Sequence, residues 1–267
     1  MKRPEIERLT ALMERLRGPD GCPWDKEQTL ESLVPFMIEE AYEVIAAIDS
    51  GSPADIKEEL GDLLFQIVFI AEICNEEGRF DLAGVIDGTI EKMVRRHPHV
   101  FGDTKADTSD EVLRNWAEIK KEEKKEELKS GGYLSGIPDV MPALLRAHKV
   151  SQKAAKAGFD WQDTEEVLNK LDEETTEFKE AIRKKDAEGI EEELGDMLFT
   201  IVNVSRFLSV NPEDALRKTI GKFINRFHHI EKRVTELGGD LSTTSTSEME
   251  RLWEEAKSIE RRLKNDA

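Results

Sequence analysis

The chain has 267 residues, and its 39 Lys and Arg against 57 Asp and Glu leave a formal net charge of −18 near neutral pH. That length allows one large domain or two ordinary ones, each able to bury a core. The acidic balance argues against a general nucleic-acid binder, which carries a basic patch, but not against small anionic ligands whose charge a bound cation offsets. Apolar residues recur in periodic stretches, so the chain is not a disordered acidic tail.

In chain order, the opening MKRPEIERLTALMERLRGPDG is amphipathic and charged, lacks an apolar h-region, and does not read as a secretory signal. Cys22 and Cys74 match neither a disulfide framework nor a metal-ligand spacing, which points to a reducing cytoplasm. Leu33, Phe36, Met37, Ala41, Val44, Ile45 and Ile48 keep a helical period. Ser52-Pro53-Ala54-Asp55 then reads as the start of a second helix, with Ser as N-cap and Pro in the first turn. Its apolar stretch Leu63 to Ala71 is interrupted by Gln66 and falls short of the roughly 20 residues that span a bilayer, so no membrane partner is expected. A helix apolar nearly all round is expected to be buried, with Asp62 at the rim of the core, and mid-helix Gly61 and Gly195 suggest close backbone approach. Prolines are expected at caps and in loops. The stretch Lys120–Pro138, KKEEKKEELKSGGYLSGIP, reads as a solvated helix end broken by Ser130-Gly131-Gly132. Beyond it, Leu168, Leu171, Phe178 and Ile182 restore the helical period, and Asp186 takes the N-cap place of Ser52.

The second half repeats the first. EEAYEVIAAIDSGSPADIKEELGDLLFQIV from Glu39 and EETTEFKEAIRKKDAEGIEEELGDMLFTIV from Glu173 are identical at 15 of 30 positions without a gap, 134 residues apart. Repetition on that scale is domain duplication, not a solenoid. The expected fold class is all-α, as two tandem helical-bundle repeats: a domain over 1–128, a linker over 129–138 and a domain over 139–267.

Each copy carries an E-E-x-x-E cluster whose last Glu precedes an E-x-x-D pair by sixteen residues. These are Glu39, Glu40, Glu43, Glu59 and Asp62, then Glu173, Glu174, Glu177, Glu193 and Asp196. Residues three or four apart share a helix face. Glu43 lies seven residues before Ser50 and Glu59 seven after Ser52, so an antiparallel hairpin sets both roughly 10 Å from its turn. Carboxylates gathered there repel, and a hard dication resolves the repulsion; oxygen-only ligands suit Mg²⁺ or Mn²⁺. The alternative is a solvated acidic helix face.

With GCPWD at Gly21–Asp25, RRHPHVFGD at Arg95–Asp103 and GFDW at Gly158–Trp161, the doubled EExxE…ExxD pattern resembles the MazG family of nucleoside triphosphate pyrophosphohydrolases over essentially the whole chain. The resemblance implies helical bundles completed by dimerisation, and Mg²⁺-dependent cleavage of an NTP or dNTP between its α- and β-phosphates. On that reading Glu40, Glu43, Glu59 and Asp62, with Glu174, Glu177, Glu193 and Asp196, hold metal. One of Glu39 or Glu40, and of Glu173 or Glu174, prepares the attacking water. Lys92 with Arg96 and Lys222 with Arg226 place two cations one helical turn apart for phosphate; Trp116 with Lys120 and Trp253 with Lys257 suit a base or phosphate contact. A homodimer is expected, because a two-helix layer cannot cover such apolar helices. The alternative assignment makes one copy a non-catalytic nucleotide-binding or dimerisation module.

Overall fold

The computed structural model of the protein describes residues 5–106, 108–123 and 132–265, and among these there are helices and no strands. The chain divides into two compact units, Met1–Glu123 and Lys124–Ala267. The expected end of the first domain at residue 128 and the first part of the expected linker lie outside the described residues; 132–142 is turn and coil.

The first unit contains α1 (Glu5–Arg17), α2 (Pro23–Glu27), α3 (Leu30–Ser50), α4 (Pro53–Glu76), α5 (Leu82–Arg96), α6 (Pro98–Phe101) and α7 (Ser109–Glu123). Its centre is the α3–α4 hairpin. A reciprocal capping box between Thr29 and Ser32 starts α3, and Gly51, at φ 72°, ends it. Only glycine takes that left-handed conformation without steric cost, so the chain reverses in two residues. Ser52 accepts from the Asp55 amide and opens α4. Pro35 lies inside α3, contrary to the expectation that proline is confined to caps and loops. Met13 of α1 and Leu33 of α3 pack with Val68, Phe69 and Ile73 of α4 to form the core.

The second unit contains α8 (Ala143–Lys156), α9 (Thr164–Lys184), α10 (Ala187–Phe207), α11 (Pro212–Glu236) and α12 (Thr246–Asn265). Its α9–α10 hairpin turns at Lys185, at φ 56°, in place of glycine, and Asp186 accepts from the Gly189 amide as the new N-cap. The interior here is partly polar. Buried Ser151 of α8 hydrogen-bonds Asn203 of α10, and Thr200 is also buried. A second cluster, Ile230, Val234 and Leu252, joins α11 to α12.

Two expectations fail. The apolar helices after the acidic pairs are not enclosed within their units: Leu60, Leu64 and Ile67 of α4, and Leu194, Leu198 and Ile201 of α10, are exposed, as are Asp62 and Asp196. A helix apolar around its whole circumference needs neighbours on every side, and one hairpin partner with two flanking helices covers only part of it. A side chain at Gly61 or Gly195 would meet nothing within 4 Å, so neither glycine marks a close approach within its unit. No helix among the described residues is long and apolar enough to cross a membrane.

Candidate active site

The hairpin geometry brings the acids together as the spacing requires. Glu40 and Glu43, one turn apart on α3, meet Glu59 of α4, with one carboxylate oxygen from each within 4.8 Å of the others. Glu174 and Glu177 of α9 with Glu193 of α10 repeat the arrangement at the same limit. Both triads have only oxygen donors, offered from two rigid helices. They combine one half-buried or buried residue on the first helix, an exposed one a turn later, and a half-buried one across the hairpin.

The charges strain against one another. Burial, then the nearby charges of Glu43 and Asp62, push the Glu59 carboxyl above the ordinary carboxylate range. Burial followed by Glu177, Glu174 and Asp196 does the same to Glu193. Glu40 is raised chiefly by burial; an amide hydrogen bond from Gln66 opposes the shift, and Asp62 and Glu43 add to it. That Gln66 contact is long, 3.5 Å to Glu40 Oε1, while the other oxygen, Glu40 Oε2, is buried without a hydrogen-bond partner. A buried carboxylate oxygen with nothing to donate to it is costly, and a cation is the group that satisfies it. The donor set therefore fits a hard dication. Asp62 and Asp196 stand outside the two triads but act on them through their charge. Glu39 is an exposed neighbour of the first triad and Glu173 of the second.

The copies differ at one contact that motif reading missed. Lys170, one turn before the second cluster, pairs with Glu174 at 2.7 Å and Glu173 at 2.8 Å. These bonds, Glu173 first, raise its pKa and keep the ammonium charged. In the ungapped register its counterpart is Phe36, and the counterpart of Gln66 is Thr200. The signal was present in the aligned repeats, at the positions that do not match.

The expected substrate cations form a separate cluster in each unit. Arg96 makes a two-point pair with Glu123, as close as 2.6 Å, and lies 6.0 Å from the Trp116 ring. Arg226 pairs in the same way with Glu260, as close as 2.7 Å, and lies 5.3 Å from the Trp253 ring. Lys92 is half-buried on α5 and Lys222 exposed on α11. Lys257 pairs with Glu254 at 2.7 Å, and the side chain of Lys120 lies outside the described residues. The duplicated Trp–Arg–Glu arrangement thus ties α5 to α7 and α11 to α12.

A family model described as the MazG nucleotide pyrophosphohydrolase domain matches residues 28–101 and again 162–231. A Thermotoga maritima protein named nucleoside triphosphate pyrophosphohydrolase/pyrophosphatase MazG is 45% identical over 252 residues, spanning 94% of this chain and 95% of that one. A nucleoside triphosphate pyrophosphohydrolase of Escherichia coli K12 is 43% identical over 256 residues, spanning 95% and 97%. The uncharacterised protein YabN of Bacillus subtilis is 46% identical over 259 residues, covering 97% of this chain and 53% of that longer protein. Each carboxylate triad lies within one of the two matched segments, and the chain belongs to the MazG nucleotide pyrophosphohydrolase family.

Proposed function

We propose that the chain hydrolyses nucleoside triphosphates between the α- and β-phosphates, releasing a nucleoside monophosphate and pyrophosphate, with Mg²⁺ as cofactor and Mn²⁺ as a substitute. The observation that carries this reading is the convergence of three carboxylates from an antiparallel helix pair, twice in one chain of this family. Glu40, Glu43 and Glu59, with Asp62 adding charge beside them, would hold the ion in the first unit; Glu174, Glu177, Glu193 and Asp196 would do so in the second. Bound there, the dication supplies neutralisation of triphosphate charge and a more acidic water. Glu39 or Glu40, and Glu173 or Glu174, accept the proton of the attacking water; burial raises the pKa of Glu40, which favours it as a base at neutral pH. Lys92, Arg96, Lys222 and Arg226 offer charge for phosphate oxygens, and Trp116 and Trp253 offer faces for a base. Arg96 and Arg226 reach a substrate only by giving up part of their pairing with Glu123 and Glu260.

Incubation of the full chain with an NTP and Mg²⁺, followed by product identification, tests the reaction. NMP with pyrophosphate is expected; NDP with phosphate would refute the cleavage position. Glu43→Gln and Glu177→Gln, made separately, assign turnover to a copy. A second reading, in which one copy binds nucleotide without turning it over, is favoured by the non-equivalence of Phe36 and Lys170. We place the enzyme in a reducing cytoplasm, in keeping with Cys22 and Cys74 as free thiols. We also propose a homodimer, in which the exposed apolar residues of α3, α4, α9 and α10 are covered.

A further inference from the structure

We infer that Lys170 is a built-in counter-ion that makes the two acidic sites unequal toward free dications, the second unit's site binding them more weakly because its own ammonium must first be displaced. The inference rests on the carboxylate triads being metal sites. It follows from what each triad touches within its own unit. In the first unit the neighbour from the second hairpin helix is a neutral amide, Gln66, and Glu40 Oε2 is buried with no donor. The position one turn before the cluster is Phe36, whose ring packs edge-on to Trp24 at 5.8 Å between centroids and carries no charge. In the second unit that position is Lys170, with Nζ within 2.8 Å of both Glu173 and Glu174. Glu174 is the most enclosed member of either triad, at 5% exposure, so the ammonium sits against the carboxylate most in need of a counter-charge.

A carboxylate cluster already matched by a cation gains less from a second one. Capture of a dication in the second unit must break two Lys–Glu pairs or hold three positive charges together. Breaking one pair with the exposed Glu173 and one with the buried Glu174, both made by a half-exposed lysine, corresponds to roughly a tenfold loss of affinity. The same substitution leaves the N-terminal site bare, which makes it the higher-affinity site for free Mg²⁺ or Mn²⁺. Lys170 is a positioning and specificity residue on this account, acting through Glu173 and Glu174.

Mn²⁺ binding to the full chain without nucleotide, followed by the electron paramagnetic resonance signal of the free ion, tests this directly. Wild type should show a tighter and a weaker class of site; Glu43→Gln should remove the tighter and Glu177→Gln the weaker. Lys170→Met keeps the apolar stem and removes the charge, and should tighten the weaker class about tenfold while leaving the tighter class unchanged. Lys170→Arg should leave the weaker class weak. An unchanged helical circular-dichroism spectrum and melting profile identify a folded variant. Two equal classes that Lys170→Met leaves unaltered would overturn the role of Lys170 alone. No bound Mn²⁺ in either copy would overturn the metal reading on which it rests.

Discussion

Removing a charge at the centre of the first triad should stabilise the protein without metal and weaken it with metal. Glu40 has two carboxylate neighbours, Glu43 and Glu59, within 4.8 Å. At that separation two unit charges repel by about 0.9 kcal/mol in a water-like dielectric, and 0.15 M salt reduces this to roughly half. Two such pairs amount to about 1 kcal/mol. Glu40→Gln removes both and keeps the shape of the side chain. Its new amide can donate to Gln66 Oε1, which is buried without a partner. With EDTA present, calorimetry of the full chain should therefore show the transition of the first unit rising by about 4 °C. With Mg²⁺ at a hundred times its Kd, the native chain gains about 2.7 kcal/mol by mass action. The variant gains little, so the order of stability reverses. A Glu40→Gln protein less stable than the native one in EDTA would refute the idea that the triad is held together against its own repulsion.

Four further outcomes follow from the fold. Glu40, Glu59 and Glu193 have folded-state pKa values above the ordinary carboxylate range, so the folded chain takes up protons more readily than the unfolded one. These carboxyls should therefore add stability to the metal-free protein as pH falls from 7 toward 5, against the opposing loss from His148, whose burial lowers its pKa, and Mg²⁺ should cancel their gain; a difference in midpoint between Mg²⁺ and EDTA that does not narrow over that window contradicts the assignment. Glu123, held near a pKa of about 2 by Arg96 and Arg95, contributes in the opposite sense, its stabilisation being lost only as pH drops below about 4.5 toward 2. Lys185→Gly replaces a side chain in the left-handed conformation with the residue found at Gly51, and should stabilise the second hairpin by roughly 0.5 kcal/mol after the added freedom of the unfolded chain is counted. A lower melting temperature would count against that. Leu64→Glu and Leu198→Glu place charge on exposed apolar surface and should convert a dimer to monomer by light scattering, whereas a monomeric wild-type chain would remove the basis for the prediction.

The helical fold and the triads were legible in the sequence because helix geometry alone fixes them. Sixteen residues from Glu43 to Glu59, with a cap signal midway, determine where the two helices face each other. The hairpin turn was equally legible at Gly51 and Ser52, less so at Lys185, where an ordinary residue takes the same backbone conformation. What periodicity could not supply was the degree of burial. The run after Asp62 is apolar around the whole helix, and this marks a need for cover without identifying the source of that cover. Within the unit Leu64 is left 40% exposed, and Asp62 at the head of the run is exposed with it. The spacing of Arg96 and Arg226 one turn from a lysine suggests phosphate contacts but not their partners in the fold, Glu123 and Glu260, distant in sequence by 27 and 34 residues. No local pattern announces such a pair.

The mismatches between the copies form a pattern of their own. Around one hairpin the chain has moved charge and polarity between equivalent places while retaining the five acids of the motif. Continuing the ungapped register, Glu72 of α4 corresponds to Arg206 of α10, and Phe69 to Asn203. In the first unit the buried cation comes from α1, where Arg17 pairs with Glu76 at 2.7 Å and lies 5.4 Å from the Phe69 ring. In the second it comes from the hairpin itself: Arg206 donates to Asp160 at 2.9 Å and to the hydroxyl of Ser151 at 2.7 Å. Each solution satisfies its buried groups, but only within its own set of partners. Arg206→Glu would leave the Ser151 hydroxyl without its donor and set a second carboxylate beside Asp160, whereas Glu72→Arg would meet Arg17 but also the carboxylates of Glu14 and Glu76. Arg206→Glu should destabilise its unit by about 2 kcal/mol, because the half-buried guanidinium gives way to a like charge beside Asp160 and Ser151 loses its donor. Urea unfolding that registers less than about 1 kcal/mol for Arg206→Glu would mean that this half-buried cation is indifferent to its partners, and that the two copies have diverged by drift at a position with no structural consequence.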